Sequence, residues 1–152
     1  MREDIKIAQE LGEKIAIEEL SFETIMWLLL GFSKEQLLNE QKLRELNITW
    51  QTAIKLHLWL EHGRLFSLQQ ISATVLEMTR VQAWEQYDLC TNNEEKCLVR
   101  LIICCLYDEA SAEFDTYGAE AIIEIFFGCL LDLGEGYCTL FGEYVQQQLK
   151  QR

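Results

Sequence analysis

The sequence predicts an all-α protein, a single compact domain of residues 1–152 with about seven or eight helices around a central apolar helix at about residues 119–133. Three observations support this fold class. No proline occurs among the 152 residues, so the residue that most often interrupts a helix is missing. Apolar side chains recur at the three- and four-residue spacing of one helix face. Serine and threonine stand at N-cap positions ahead of several of these runs.

An apolar stripe predicts a helix at the N-terminus, and recognisable caps predict the helices that follow. The stripe consists of Ile5, Ala8, Leu11, Ile15 and Leu20. Ser21 and Thr49 are predicted N-caps for helices over residues 22–30 and 50–61. Gly63 is expected to end the second of these helices, because glycine adopts the left-handed C′ conformation without a Cβ clash.

Three capping boxes predict further helix starts. In each box a serine or threonine is followed three residues later by Glu or Gln, whose side chain reaches back to the cap backbone. The boxes are Ser33 with Gln36, Ser67 with Gln70 and Thr91 with Glu94. An apolar series after the second box predicts one long core helix of about 20 residues. Its members are Leu68, Ile71, Val75, Met78, Val81 and Trp84.

The C-terminal half contains the most apolar of the predicted helices. Residues 94–107 place leucine, isoleucine and cysteine over a wide helix surface. Residues 119–133 are apolar on nearly every side, so we expect other helices to surround this one. A last helix is expected over residues 137–149, after the break at Gly134 and Gly136.

The chain is strongly acidic, with 13 Lys and Arg against 25 Asp and Glu and a formal net charge of −12. Proteins that bind nucleic acid usually have the opposite charge, because they neutralise phosphates. We therefore expect no direct nucleic-acid binding, and we expect the partner to offer a basic protein surface. The oligomeric state stays open, with a homo-oligomer among the alternatives.

The sequence favours a cytoplasmic protein without a membrane span. The first residues mix both signs of charge and include no uninterrupted apolar stretch, so neither a signal peptide nor a transit peptide is predicted. The most apolar windows, residues 25–30 and 119–133, are shorter than the about 20 residues that a spanning helix needs. The six cysteines are expected to be reduced and packed in the core. They are Cys90, Cys97, Cys104, Cys105, Cys129 and Cys138.

No pattern of residues predicts catalysis, a cofactor or a metal site. The common phosphate-binding, metalloprotease and hydrolase motifs are absent. The two histidines, His57 and His62, point to different helix faces, so they are not expected to share a metal. We favour a hydrogen-bonded core or boundary position for His57 over an acid/base pair with Glu61. The sequence therefore predicts a protein that is not an enzyme and that has no cofactor.

The acidic C-terminal third, residues 101–149, is the least ordinary feature of the sequence. No basic residue lies between Arg100 and Lys150, whereas nine acidic residues do, so this third carries −9 of the net charge of −12. Acids and aromatic rings cluster near its start and predict a partner-binding patch, because both groups attract Lys and Arg. The predicted partner-binding residues are Asp108, Glu109, Glu113, Asp115, Glu120, Tyr107, Phe114 and Tyr117. A solvated face that only keeps the protein soluble is the plain alternative.

These features favour a non-enzymatic interaction module, of the adaptor, inhibitor or immunity type, that docks a basic partner surface. An acidic mimic of nucleic acid that inhibits a DNA- or RNA-binding protein is the first alternative. A small enzyme that uses Glu124 as a buried acid is a further alternative. A helix-turn-helix regulator over residues 66–85, with its turn at residues 77–79, is the last, although Glu85 and Asp88 would repel phosphate.

Overall fold

A computed structural model describes Lys6, residues 20–116 and residues 118–151. These residues form eight α-helices and no strand, which confirms the all-α prediction. The helices are α1 (Phe22–Phe32), α2 (Glu40–Glu45), α3 (Trp50–Ser67), α4 (Ala73–Leu89), α5 (Asn93–Cys104), α6 (Glu109–Thr116), α7 (Ala119–Leu133) and α8 (Tyr137–Lys150). A π-helical turn, Ser33–Leu37, continues α1. The predicted stripe from Ile5 to Ile15 lies outside the described residues.

Two helix starts agree with the capping signals, and a third lies one residue from its predicted position. The Ser21 and Thr49 hydroxyls accept hydrogen bonds from the backbone N–H three residues later, at 3.1 and 3.3 Å, and cap α1 and α3 as predicted. α5 begins within one residue of the start predicted from Thr91, but its cap is Asn92, whose Oδ1 accepts from the Glu95 N–H at 3.0 Å. Local capping chemistry therefore determines these boundaries, because it satisfies N–H groups that have no partner within the helix.

Three other predicted boundaries are wrong, and tertiary packing accounts for two of them. Ser33 begins no α-helix, because it is buried in the π-helical turn with its Oγ 3.6 Å from Cys105 Sγ. α3 continues through Gly63 to Ser67, and α4 is capped by Ser72 instead of Ser67. Gly63 is buried, and a Cβ on it would lie 3.0 Å from the Cys105 carbonyl oxygen. Glycine at this position therefore permits close packing and does not end the helix.

The apolar series predicted to form the core face of α4 is largely exposed. Its members Val75, Met78 and Val81 are exposed by 39, 60 and 52 %. The buried face consists of Leu76, Thr79, Arg80 and Ala83. Thr79 and Arg80 tolerate burial because their polar groups find hydrogen-bond partners inside the protein. Hydrophobic periodicity does not report such partners, so it selects the wrong face.

The core lies where α1, α7 and α8 meet, and α5 packs against α7 in the most extensive contact between two helices. α7 has the bounds predicted for the central apolar helix. The rings of Phe32 and Phe141 pack edge to face in this core, with 4.9 Å between their centroids. Every residue from Leu101 to Tyr107 is also buried. This core supports the segment that follows Tyr107, which carries most of the predicted patch.

The described helices include none that is long and apolar enough to cross a membrane. All six cysteines are free thiols, three of them buried and three half-buried. Their packing agrees with the predicted core role, since free cysteine behaves as a small apolar residue.

Candidate protein-interaction surface

The predicted carboxylates lie on and beside α6 and are here called the acidic patch. Its members are Asp108, Glu109, Glu113, Asp115 and Glu120. Asp108 is half-buried, and the other four residues are exposed. The Asp108 carbonyl accepts a backbone hydrogen bond from Ala112 at 2.9 Å and so starts α6. Ala112 and Thr116 are buried, which turns the opposite face of this short helix toward solvent.

The three predicted aromatic residues differ in environment. Phe114 is 91 % exposed and stands between Glu113 and Asp115. Tyr107 is only 4 % exposed, so its ring is part of the core. Tyr117 lies outside the described residues. Aromatic side chains are enriched at protein interfaces, and Phe114 is the described one that can contact a partner from α6.

Arg80 on α4 anchors the segment that carries the acidic patch, a role that the sequence does not reveal. Its buried guanidinium donates to the Leu106 carbonyl at 2.7 Å and lies 4.5 Å from the centre of the Tyr107 ring. Another guanidinium nitrogen lies 3.8 Å from Asp115 Oδ2, which links one patch carboxylate to the core. Burial raises the pKa of the Tyr107 hydroxyl, although Arg100 and Arg80 oppose this effect. The backbone that leads into α6 is therefore held from α4.

A groove of about 800 Å³ lies between α1 and the C-terminal half of α3, and we call it the α1–α3 groove. Apolar side chains form much of its lining. They include Met26, Trp27, Leu30, Leu60, Phe66 and Leu68. Tyr107, Asp108 and Glu109 also line it, so the groove and the acidic patch are continuous. Its volume and apolar lining are typical of binding clefts.

Charged side chains along the α1–α3 groove leave an excess of negative charge. Arg64 Nε donates to Glu61 Oε2 at 2.9 Å, and this hydrogen bond holds the pKa of Glu61 below its usual value. This ion pair balances two of the charges. The other Asp, Glu, Lys and Arg residues of the lining are Glu23, Asp108, Glu109 and Lys34. Apart from the ion pair, the lining therefore contains three carboxylates and one ammonium group.

The structure contradicts one sequence expectation about site chemistry and the structural premises of two alternatives. His57 is exposed beside the groove and is not a core or boundary histidine, whereas His62 Nδ1 shares a hydrogen bond of 2.8 Å with Thr79. Glu124 is exposed on α7, so it is not the buried acid that the enzyme alternative requires. α4 runs without a break through residues 77–79, where the helix-turn-helix alternative needs a turn. In the described ranges, no three His, Cys, Asp or Glu residues are grouped to hold a metal ion.

The thiols of Cys104, Cys105 and Cys129 are poor nucleophiles. Burial raises the pKa of Cys105 to about 12 and the pKa of Cys129 to about 11. It also raises the pKa of Cys104. The thiolate is the reactive form of cysteine, and a raised pKa keeps its population low near neutral pH. These cysteines therefore contribute packing and no evident chemistry.

No protein-family model, curated protein or solved structure matches this chain. Its function is therefore inferred from the surface itself, which joins an acidic helix to an apolar groove. Sequence reasoning found the acidic residues but missed the groove. Residues 22–34, 57–68 and 105–109 contribute to the groove and are far apart along the chain, so no single window contains it.

Proposed function

We propose that this protein is a non-enzymatic interaction module, an adaptor, inhibitor or immunity-type protein, that binds a basic protein surface through the acidic patch. The observation that carries the proposal is the 91 % exposure of Phe114 on α6, a helix that also carries the exposed Glu109, Glu113 and Asp115. Carboxylates bind Lys and Arg through charge-assisted hydrogen bonds, and an aromatic face attracts the same cations. A basic partner would meet both groups on one short helix.

The charge distribution adds a long-range component to this local recognition. Nine acidic residues and no basic residue lie between Arg100 and Lys150. Such a one-signed region creates a field that accelerates the approach of an oppositely charged partner. Because salt screens this field over about 10 Å at 0.1 M ionic strength, the acceleration depends on salt.

A quintuple variant tests this proposal. It combines the changes Asp108→Asn, Glu109→Gln, Glu113→Gln, Asp115→Asn and Glu120→Gln. The probe is an unstructured peptide of lysine spaced by glycine and serine, and its association rate is measured by stopped-flow anisotropy at several salt concentrations. We expect the variant to associate about tenfold more slowly at low salt and to lose most of the salt dependence. Its stability should change by no more than about 0.5 kcal/mol at each of Glu109, Glu113 and Glu120, and by more at Asp115, which pairs with the buried Arg80. Urea denaturation of the variant therefore accompanies the rate measurement.

A matched control separates the acidic patch from net charge. The control neutralises five other exposed acids and carries the same net charge as the quintuple variant. It combines the changes Glu35→Gln, Glu77→Gln, Glu85→Gln, Asp88→Asn and Glu94→Gln. We expect the control to keep most of the association rate. An equal loss in both variants would show that the acidic patch only adds to overall charge. Binding restricted to nucleic-acid-binding proteins, and competed by duplex DNA, would support the nucleic-acid mimic instead.

A further inference from the structure

We infer that the α1–α3 groove seats an amphipathic helix of the basic partner, with the apolar face of that helix inside the groove and its basic residues against Asp108 and Glu109. This inference rests on the proposed function. It adds the structural class of the partner segment and a second, apolar contact site.

The apolar side chains of the groove favour a partner helix with an apolar face. Trp27 and Leu68 line the groove while they remain 45 and 51 % exposed. Deeper in the lining, Met26 and Leu60 are buried. Contact with an apolar partner would remove the exposed part of these side chains from water, which is the main favourable contribution to association.

The walls of the groove favour a helix as the bound segment. α1 and α3 form two of its sides, and side-chain ridges of a third helix can pack between those of two neighbours. Recognition by β-strand addition would need a sheet edge, and the part of the chain that the structure describes contains no strand. A bound helix would present apolar residues at positions i, i+3, i+4 and i+7.

The charge beside the groove favours a basic helix. Glu61 is already paired with Arg64, so Glu23, Asp108 and Glu109 act against Lys34 alone in the described lining. Asp108 and Glu109 belong to both the groove and the acidic patch. A helix seated in the groove would therefore extend its basic residues toward α6 without a change of direction.

The same charge disfavours the two occupants that this chain itself could supply. A second copy would bring another net charge of −12 to an already acidic surface. Residues 1–19 adjoin α1 in the sequence, but they contain six acids and three bases. Like charges at an interface oppose association, so a basic partner is the better match.

Two leucine variants of the full chain test the groove. The probe is a fluorescein-labelled peptide of about five helical turns, with leucine at i, i+3, i+4 and i+7 and lysine on the other face. Leu68→Gln changes the groove, and Leu58→Gln is the control, since Leu58 is 52 % exposed on α3 but does not line the groove. By fluorescence anisotropy we expect Leu68→Gln to raise Kd about tenfold and Leu58→Gln to change it less than about twofold.

A second variant keeps the test decisive if Leu68→Gln perturbs the end of α3. Glu109→Lys reverses an exposed charge beside the groove, and Glu143→Lys makes the same change on α8. We expect only Glu109→Lys to weaken binding of the lysine peptide severalfold, and a peptide with glutamate in place of lysine should not bind.

The outcomes distinguish the groove from the proposed function. Equal Kd values for Leu68→Gln and Leu58→Gln would show that the groove is not the binding site of the peptide helix. The proposed function would still stand in that case if the quintuple variant lost binding. If neither the groove variants nor the quintuple variant lost binding, both the groove and the proposed function would be overturned. If the wild-type protein sedimented as a dimer and the Leu68→Gln variant as a monomer, the groove would be the contact site for a second copy of the chain. Tighter peptide binding after Leu11→Gln and Ile15→Gln would assign it to residues 1–19. Each of these last two results would overturn the inference.

Discussion

The two halves of α3 present apolar side chains in opposite ways. In the N-terminal half, Trp50, Ile54 and Leu58 follow each other at four-residue spacing and are exposed by 68, 54 and 52 %. In the C-terminal half, Leu60 and Phe66 line the α1–α3 groove. Apolar side chains therefore form an open helix face in one half and part of a cleft in the other. The neighbouring structure differs between the two halves, because α1 lies beside the C-terminal half and forms the other side of the groove.

Gly63 marks the change between the two halves. A Cβ at this position would lie 2.9 Å from Leu30 Cδ2 and 3.0 Å from the Cys105 carbonyl oxygen. The missing side chain therefore allows α3 to approach α1 and the end of α5 closely. No such approach is seen at Gly128 on α7, where a Cβ would meet no atom within 4 Å.

The largest expected effect is that of Gly63→Ala. Because the new methyl group would collide with backbone as well as with a side chain, we expect a loss of about 2 kcal/mol in the free energy of unfolding. Gly128→Ala is the control and should raise stability by about 0.5–1 kcal/mol, since alanine favours a helix interior. Urea denaturation measures both. Equal stabilities for Gly63→Ala and the wild type would contradict the close approach.

The next effect is an alkaline loss of stability that involves Cys105, which lies at the groove. Burial raises its pKa from 9.0 to about 12 in the folded protein. Between these values the unfolded chain loses the proton while the folded chain keeps it, so stability falls as pH rises. Wild-type protein should lose up to about 1.4 kcal/mol more per pH unit than Cys105→Ala. Urea denaturation from pH 8 upward measures the difference, and parallel curves would refute it.

The smallest effect is expected in the N-terminal half of α3. Trp50→Gln, Ile54→Gln and Leu58→Gln should each change the free energy of unfolding by less than about 0.5 kcal/mol, because these side chains are exposed. Their Kd values for the lysine peptide should stay within about twofold of the wild-type value. A loss above about 1 kcal/mol in urea denaturation would mean that this face is covered, and the contrast between the halves would disappear.

The sequence was informative where local chemistry decides the structure. The caps Ser21 and Thr49 and the bounds of α7 agree with prediction because capping hydrogen bonds and a uniformly apolar run act over short distances. The predicted α4 stripe failed because Arg80 is buried through contacts with Leu106 and Tyr107, which are distant in the sequence. No local sequence pattern distinguishes a buried arginine with internal hydrogen-bond partners from an arginine exposed to solvent.

The candidate site also has one part that could be predicted from the sequence and one part that could not. A run of acids without bases is a property of the sequence, so Glu109, Glu113 and Glu120 could be selected in advance and are exposed. The exposure of Phe114 and the burial of Tyr107 could not be told apart, because both are aromatic residues beside acids. The groove depends on how α1 and α3 pack, which only the fold specifies.

The indole N–H signals of the tryptophans report directly on whether the lysine peptide binds in the α1–α3 groove. The chain has four tryptophans. Trp27 lines the groove, Trp50 lies on the open half of α3, Trp59 is buried on α3, and Trp84 lies on α4. A two-dimensional proton–nitrogen NMR titration with the lysine peptide, assigned by single Trp→Phe variants, should shift the Trp27 signal and leave the Trp50 signal in place. A shift of the Trp50 signal without one of Trp27, or no shift of either signal at saturating peptide, would show that the peptide does not bind in the α1–α3 groove.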